Sequence, residues 1–215
     1  MPLRPARLAG VRLGRETGRI GLLGGSFNPA HDGHRHISRV ALKRLGLDEV
    51  WWLVSPQNPL KDADSMAPLP DRLATAREVA RHPRIRVTAM EQDFSTRYTI
   101  ATLLALRTRF PRMRFVWLMG ADNLTQMPHW AEWTRIFDLV PVAVFARPSY
   151  SLRAMAGKAA TRYRSDMIAP VSGRMLPDAK PPAWTFFPIR LHSASATEIR
   201  AEAAARHKPT GGSRQ

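Results

Sequence analysis

The sequence predicts an α/β fold: a doubly wound parallel sheet of five to six strands with helices on both faces. Three observations predict it. Short apolar runs alternate along the chain with longer stretches whose apolar residues recur at helical spacing. The first two runs are joined by a helical pattern of about a dozen residues, and such a βαβ unit requires parallel strands and a right-handed crossover. A glycine-rich turn then follows the first run, and ligands of open α/β sheets sit at the carboxyl ends of strands.

The elements follow in order. Ile20-Gly21-Leu22-Leu23 reads as a buried strand, and Ile37 to Leu45 as a helix with Ile37, Val40, Ala41 and Leu45 on one face. Val50 to Val54 is the second strand, followed by a loop from Ser55 to Asp62. Pro70 to Arg81 reads as a helix with Asp71 in its first turn and His82-Pro83 at its close. Arg84 to Met90 is the third strand, Asp93 to Tyr98 a polar loop, and Thr99 to Phe110 a helix stopped by Pro111. Arg114 to Met119 is the fourth strand, which Gly120 to Leu124 turns into a helix. Trp130 to Phe137 is a further helical piece. Val140 to Phe145 is the fifth strand, weakened near its start by Pro141. Residues 148–183 suggest one helix around 150–163 and then a Pro-rich crossing. Trp184 to Ile189 reads as a last strand, and Ser195 opens a C-terminal helix. Residues 1–18 lack periodicity and read as a flexible basic leader, 19–207 as a single domain, and the Gly/Pro/Ser-rich 208–215 as a disordered tail.

Composition narrows the function. A chain of 215 residues with 44% hydrophobic content and six tryptophans can bury a real core. Without cysteine there are no disulfides, thiolate nucleophiles or cysteine-ligated zinc, which fits a reducing, cytoplasmic setting. No apolar run approaches the roughly 20 residues that span a bilayer. The net charge of +16 favours phosphate-bearing partners, and it raises a basic nucleic-acid-binding module as a distant rival. The basic residues are scattered, however, and no helix-turn-helix, zinc finger or RNA-binding aromatic motif accompanies them.

The chemistry concentrates in Gly24-Gly25-Ser26-Phe27-Asn28-Pro29-Ala30-His31-Asp32-Gly33-His34. It lies between a strand and a helix. Adjacent glycines allow close backbone approach, and unpartnered amides at a helix start welcome an anion. His31 and His34, three apart, can face one ligand from the first turn. Taken alone, the loop also fits a tight turn whose histidines merely cap the helix. It is neither a dinucleotide fingerprint nor a Walker loop. A second anion site is suggested at Ser195-Ala196-Thr197-Glu198-Ile199-Arg200, where Arg200 lies one turn beyond Thr197. Taken alone, those residues also fit an ordinary capped helix with a surface arginine, since capping residues are common.

Together the two motifs resemble the H-x-G-H and S-S/A-T-x-I-R signatures of the nucleotidyltransferase superfamily, which has a Rossmann-like fold. The segments Phe94 to Leu103, Gly120-Ala121-Asp122-Asn123-Leu124, Trp130 and Ala146-Arg147-Pro148-Ser149-Tyr150 look like those of bacterial nicotinate mononucleotide adenylyltransferase. The resemblance covers roughly residues 19 to 205.

It implies transfer of the adenylyl group of ATP to nicotinate mononucleotide, with Mg²⁺ bound mainly through the ATP phosphates. Nicotinamide mononucleotide or another phosphorylated acceptor, such as pantetheine phosphate, stays open. So does the choice between monomer and homo-oligomer. The resemblance makes His31, His34 and Arg200 catalytic. It assigns ATP to Gly24, Gly25, Ser26, Phe27, Lys61, Gly120, Asp122, Ser195 and Thr197. It assigns the mononucleotide to Asn28, Tyr98, Thr99, Trp130 and Arg147, with Trp130 stacking on the pyridine ring. Two departures stand out. Asn28 replaces an aspartate found in many relatives, and Ala194 and Ala196 replace hydroxyl residues found in some.

Overall fold

A computed structural model describes residues 17–56, 66–147 and 150–189. Its strands are β1 (Gly18–Gly25), β2 (Glu49–Val54), β3 (Ile85–Thr88), β4 (Met113–Gly120), β5 (Val142–Phe145) and β6 (Trp184–Phe187). They form one sheet in the order β3-β2-β1-β4-β5-β6. Every pairing is parallel, with Leu22 opposite Trp51 on one side and Trp117 on the other. Strand order reverses between β1 and β4, and the crevice of a doubly wound sheet opens at the carboxyl ends of such a pair.

The helices are α1 (Asp32–Arg44), α2 (Leu69–Ala80), α3 (Met90–Asp93), α4 (Thr99–Arg109), α5 (Ala121–Gln126), α6 (Trp133–Leu139), α7 (Ser151–Met155) and α8 (Lys158–Arg162). Strand side chains alternate between two cores. Trp51 packs with Leu22, Trp117, Leu103 and Phe137 on one face, while Trp52 packs with Leu23, Phe27, Ile37 and Phe145 on the other. Both indoles are fully buried and both N–H groups are satisfied, Trp51 by Glu49 at 2.8 Å and Trp52 by Ser38 at 2.8 Å. At the amino end of the sheet, Asp178 binds Arg19 of β1 and Arg114 of β4. Among the described residues, no helix is long and apolar enough to cross a membrane.

Some boundaries differ from expectation. The third strand stops at Thr88, because Met90–Asp93 forms the one-turn helix α3. The fifth strand begins at Val142, not Val140; the Pro141 carbonyl instead accepts from Trp117 N–H. The helix expected around 150–163 is broken at Gly157 into α7 and α8. The Pro-rich crossing contains a nine-residue 3₁₀ helix, Pro170–Asp178. The last strand ends at Phe187. The expected C-terminal helix lies outside the described residues.

Candidate active site

β1 delivers the glycine-rich loop to the crevice. A Cβ on Gly24 would stand 2.4 Å from Trp117 Cη2, so a close approach is what this glycine serves. The left-handed conformation falls instead on Phe27, at φ +46°. Its ring is buried and stacks on Trp52 with centroids 5.0 Å apart. That contact ties the loop to the core and offsets a backbone strain of about 1–3 kcal/mol. Phe27 and Gly24 therefore shape the loop from beneath, and Ser26 is buried beside them.

His31 and His34 form a reciprocal cap at the start of α1. Gly33 N–H donates to His31 Nδ1 at 3.1 Å, and His31 N–H donates to His34 Nδ1 at 3.2 Å. The capping role and the ligand role are compatible, because each cap uses only Nδ1. An accepting Nδ1 carries no proton, so the neutral rings hold theirs on Nε2, where each is a hydrogen-bond donor. The two ring centroids are 3.8 Å apart, and the His34 ring lies 4.7 Å from Phe27 and 5.8 Å from Trp52. Two donors thus sit side by side on a rigid aromatic floor at a helix N-terminus, an arrangement suited to an anion with several oxygens.

The loop is held from behind by Arg72, which is only 3% exposed. Its guanidinium donates to four backbone carbonyls: Ala67 at 2.8 Å, Ser26 at 2.7 Å, Ser55 at 2.7 Å and Pro56 at 2.9 Å. One fork therefore joins the glycine-rich loop, the end of β2 and the approach to α2. Burial pulls its pKa below the usual arginine value. Asn28 adds a second tie, since its Oδ1 accepts from Ala67 N–H at 3.3 Å. Sequence reasoning missed Arg72. The available signal was its place on a buried stripe with Ala76 and Ala80, where an arginine needs acceptors.

Across the strand-order reversal, β4 ends in Gly120 and α5 begins. Asp122 gives α5 no side-chain cap; it faces Arg147 Nε at 3.4 Å instead. Two residues expected on different substrates are thus an ion pair. A Cβ on Gly120 would lie 2.4 Å from Asp122 Oδ1 and 2.9 Å from Arg147 Nε, so the pair needs glycine there.

Tyr98 precedes α4 and is 51% exposed, which excludes a core role; Thr99 is the first residue of that helix. Trp130 follows the short 3₁₀ turn Met127–His129. It stands edge-on to Trp117, centroids 6.4 Å apart, and is half-buried against the core. Trp117 is itself buried, and its Nε1 has no hydrogen-bond partner among the described residues. Lys61, Ser195, Thr197 and Arg200 lie outside the described residues.

A parallel doubly wound sheet with a capped, arginine-braced loop beside its switch point defines a nucleotide-binding α/β protein. Residues 22–202 match the model of the cytidylyltransferase-like family. The chain is 53% identical over 182 residues to a probable nicotinate-nucleotide adenylyltransferase of Parvibaculum lavamentivorans, covering 85% of this chain and 90% of that one. A protein of the same description from Methylorubrum extorquens is 49% identical over 182 residues, covering 85% and 98%. The chain belongs to the cytidylyltransferase-like family and, within it, to the nicotinate-nucleotide adenylyltransferases. The fold is shared with Plasmodium falciparum nicotinic acid mononucleotide adenylyltransferase, solved in complex with NaAD. That likeness has a TM-score of 0.62 at 14% identity and covers 87% of this chain and 83% of that one.

Proposed function

We propose that the protein transfers the adenylyl group of ATP to nicotinate mononucleotide, giving nicotinate adenine dinucleotide and pyrophosphate. The observation that carries this reading is the pair of histidines whose Nδ1 atoms accept from backbone amides at the start of α1 and whose rings stand side by side, centroids 3.8 Å apart, against the glycine-rich loop. A phosphate oxygen of the mononucleotide attacks the α-phosphorus of ATP. The new P–O bond forms as the bond to the bridging oxygen breaks, and that oxygen leaves with pyrophosphate. The nucleophile is already anionic, so no general base is required. The protein's contribution is positioning and charge stabilisation. His31 and His34 donate to the triphosphate, and His34 is assigned the transition-state contact. Arg200, Ser195 and Thr197 hold the β- and γ-phosphates in this reading, and Lys61 reaches the same chain of phosphates.

Asp122 and Gly120 lie where the nucleotide crosses the sheet, and Arg147 orders the Asp122 carboxylate. Tyr98, Thr99 and Trp130 line the pyridine pocket, and the exposure of Tyr98 supports this. Among the described residues, no three histidine, aspartate or glutamate side chains converge. In this reading Mg²⁺ would be carried mainly by the ATP phosphates, where it would neutralise charge. A single continuous sheet over residues 18–187 supports one catalytic domain, whose proposed bounds are 19–207. A cytoplasmic location belongs to the same reading.

The test is pyrophosphate release with ATP and Mg²⁺, run in parallel with nicotinate mononucleotide and nicotinamide mononucleotide. Preference for the acid is the expected result. Equal use of the amide would remove the acid specificity, and silence with both would overturn the assignment of the acceptor.

A further inference from the structure

Glu91 is buried in α3, just beyond β3, with 6% of its surface exposed. Its carboxyl meets two hydroxyls: Ser55, immediately after β2, and Thr102 Oγ1 on α4 at 3.3 Å. Among the described residues, burial and these two hydroxyls are the influences on its proton, and no charged group bears on it. Thr102 Oγ1 is in turn 2.8 Å from Thr96 Oγ1 and 3.3 Å from the Tyr98 carbonyl. Thr96 N–H closes the circuit on the Glu91 backbone carbonyl at 2.9 Å. One side chain thus links the end of β2 to the segment leading into Tyr98 and Thr99.

Proton counting makes the link depend on charge. The Thr102 hydroxyl has one proton and three acceptors in reach, Glu91 Oε1, the Tyr98 carbonyl and Thr96 Oγ1. An ionised carboxylate takes that proton, and the chain runs from Thr96 through Thr102 into Glu91. A protonated carboxyl donates to one of its hydroxyl neighbours, and Thr102 can then turn to Tyr98. Burial raises the Glu91 pKa to about 7. A glutamine could bond the same two hydroxyls without any desolvated charge, so structure alone does not call for an acid here.

We infer that Glu91 is a positioning residue for the pyridine pocket: its ionised carboxyl, acting through Thr102 and Thr96, fixes residues 96–99 against the end of β2. This rests on the reading of Tyr98 and Thr99 as pocket residues.

The test uses full-length wild type, Glu91→Gln and Thr102→Val, with KM for each substrate and kcat measured from pH 6 to 9. At pH 8, Glu91→Gln is expected to raise KM for nicotinate mononucleotide about tenfold, the worth of one charge-assisted hydrogen bond. KM for ATP and kcat stay within about twofold on the same reasoning, since neither reads the pyridine pocket. The ratio of variant to wild-type KM falls toward one as pH drops to 6, where the wild type also loses its charge. Taking the ratio cancels titration of the substrate phosphate. Thr102→Val reproduces the effect, because it removes the intermediary. A ratio that is the same at every pH overturns the inference, as does a parallel loss in kcat and both KM values. A wild-type enzyme with no acceptor-dependent pyrophosphate release would sink the pocket reading and this inference with it. An active wild type with an unresponsive ratio sinks only the role of Glu91.

Discussion

Replacing Arg72 by methionine keeps an unbranched apolar stem, shorter than arginine, and removes every donor. Four carbonyls, on Ser26, Ser55, Pro56 and Ala67, lose their partner together. A hydrogen bond to a charged group contributes about 1.5–3 kcal/mol, and a buried acceptor left unmade costs about 1–3 kcal/mol. Water can reach the less buried carbonyls, so the four do not add fully. A net loss of about 3–5 kcal/mol follows, comparable to breaking a buried ion pair from one side. For a chain of this size that corresponds to a drop in Tm of roughly 6–20 °C. The same substitution frees the Ser26 end of the glycine-rich loop, so KM for ATP rises while KM for the mononucleotide moves less. Arg72→Lys keeps the charge but not the fork, and its single ammonium recovers only part of both effects. Thermal unfolding with and without ATP, together with steady-state kinetics, measures this. An Arg72→Met protein that melts with the wild type and binds ATP normally would refute the idea that one guanidinium organises the loop.

Three further outcomes follow from other contacts. Gly24→Ala pushes a methyl into the buried Trp117 ring at 2.4 Å and should cost about 1–3 kcal/mol in urea unfolding, with the slope unchanged. Trp130→Ala should raise KM for the mononucleotide about tenfold with little change in kcat, by loss of an aromatic face; an unchanged KM would return Trp130 to a packing role beside Trp117. Glu91→Gln should gain stability relative to wild type as pH rises. The folded carboxyl holds its proton to about pH 7, while the unfolded one gives it up near 4.5. Wild-type stability is therefore full below 4.5 and falls through that window by about 3 kcal/mol, whereas glutamine does not titrate. Chemical denaturation at pH 5 and pH 8 reads the difference.

The strands were legible because two-faced burial writes itself into short apolar runs, as in Val50 to Val54 with its paired tryptophans. The glycine-rich loop was legible because its residue types are restricted by backbone approach and capping. What the letters hid was set by tertiary contact. Thr88 ends a strand that the apolar pattern carries on to Met90, because α3 must turn Glu91 inward. The nine-residue 3₁₀ helix at 170–178 has no α-helical period to betray it. Arg72 and Glu91 act on segments distant in sequence, so only the folded chain shows which carbonyls and hydroxyls they meet. Phe27, rather than Gly24 or Gly25, takes the left-handed conformation in the loop, which no residue-type rule would assign to a bulky aromatic.

The Nδ1 atoms of the two histidines build the loop, and in the proposed mechanism His34 Nε2–H acts on the phosphates. His34→Asn separates the two roles, since the amide oxygen can replace Nδ1 as acceptor for His31 N–H while the donor at the far end is lost. Measured on folded protein of unchanged Tm, it should lower kcat by about a hundredfold or more and leave KM for nicotinate mononucleotide nearly constant. Equal losses in kcat and mononucleotide affinity, or near-normal turnover, would contradict the account.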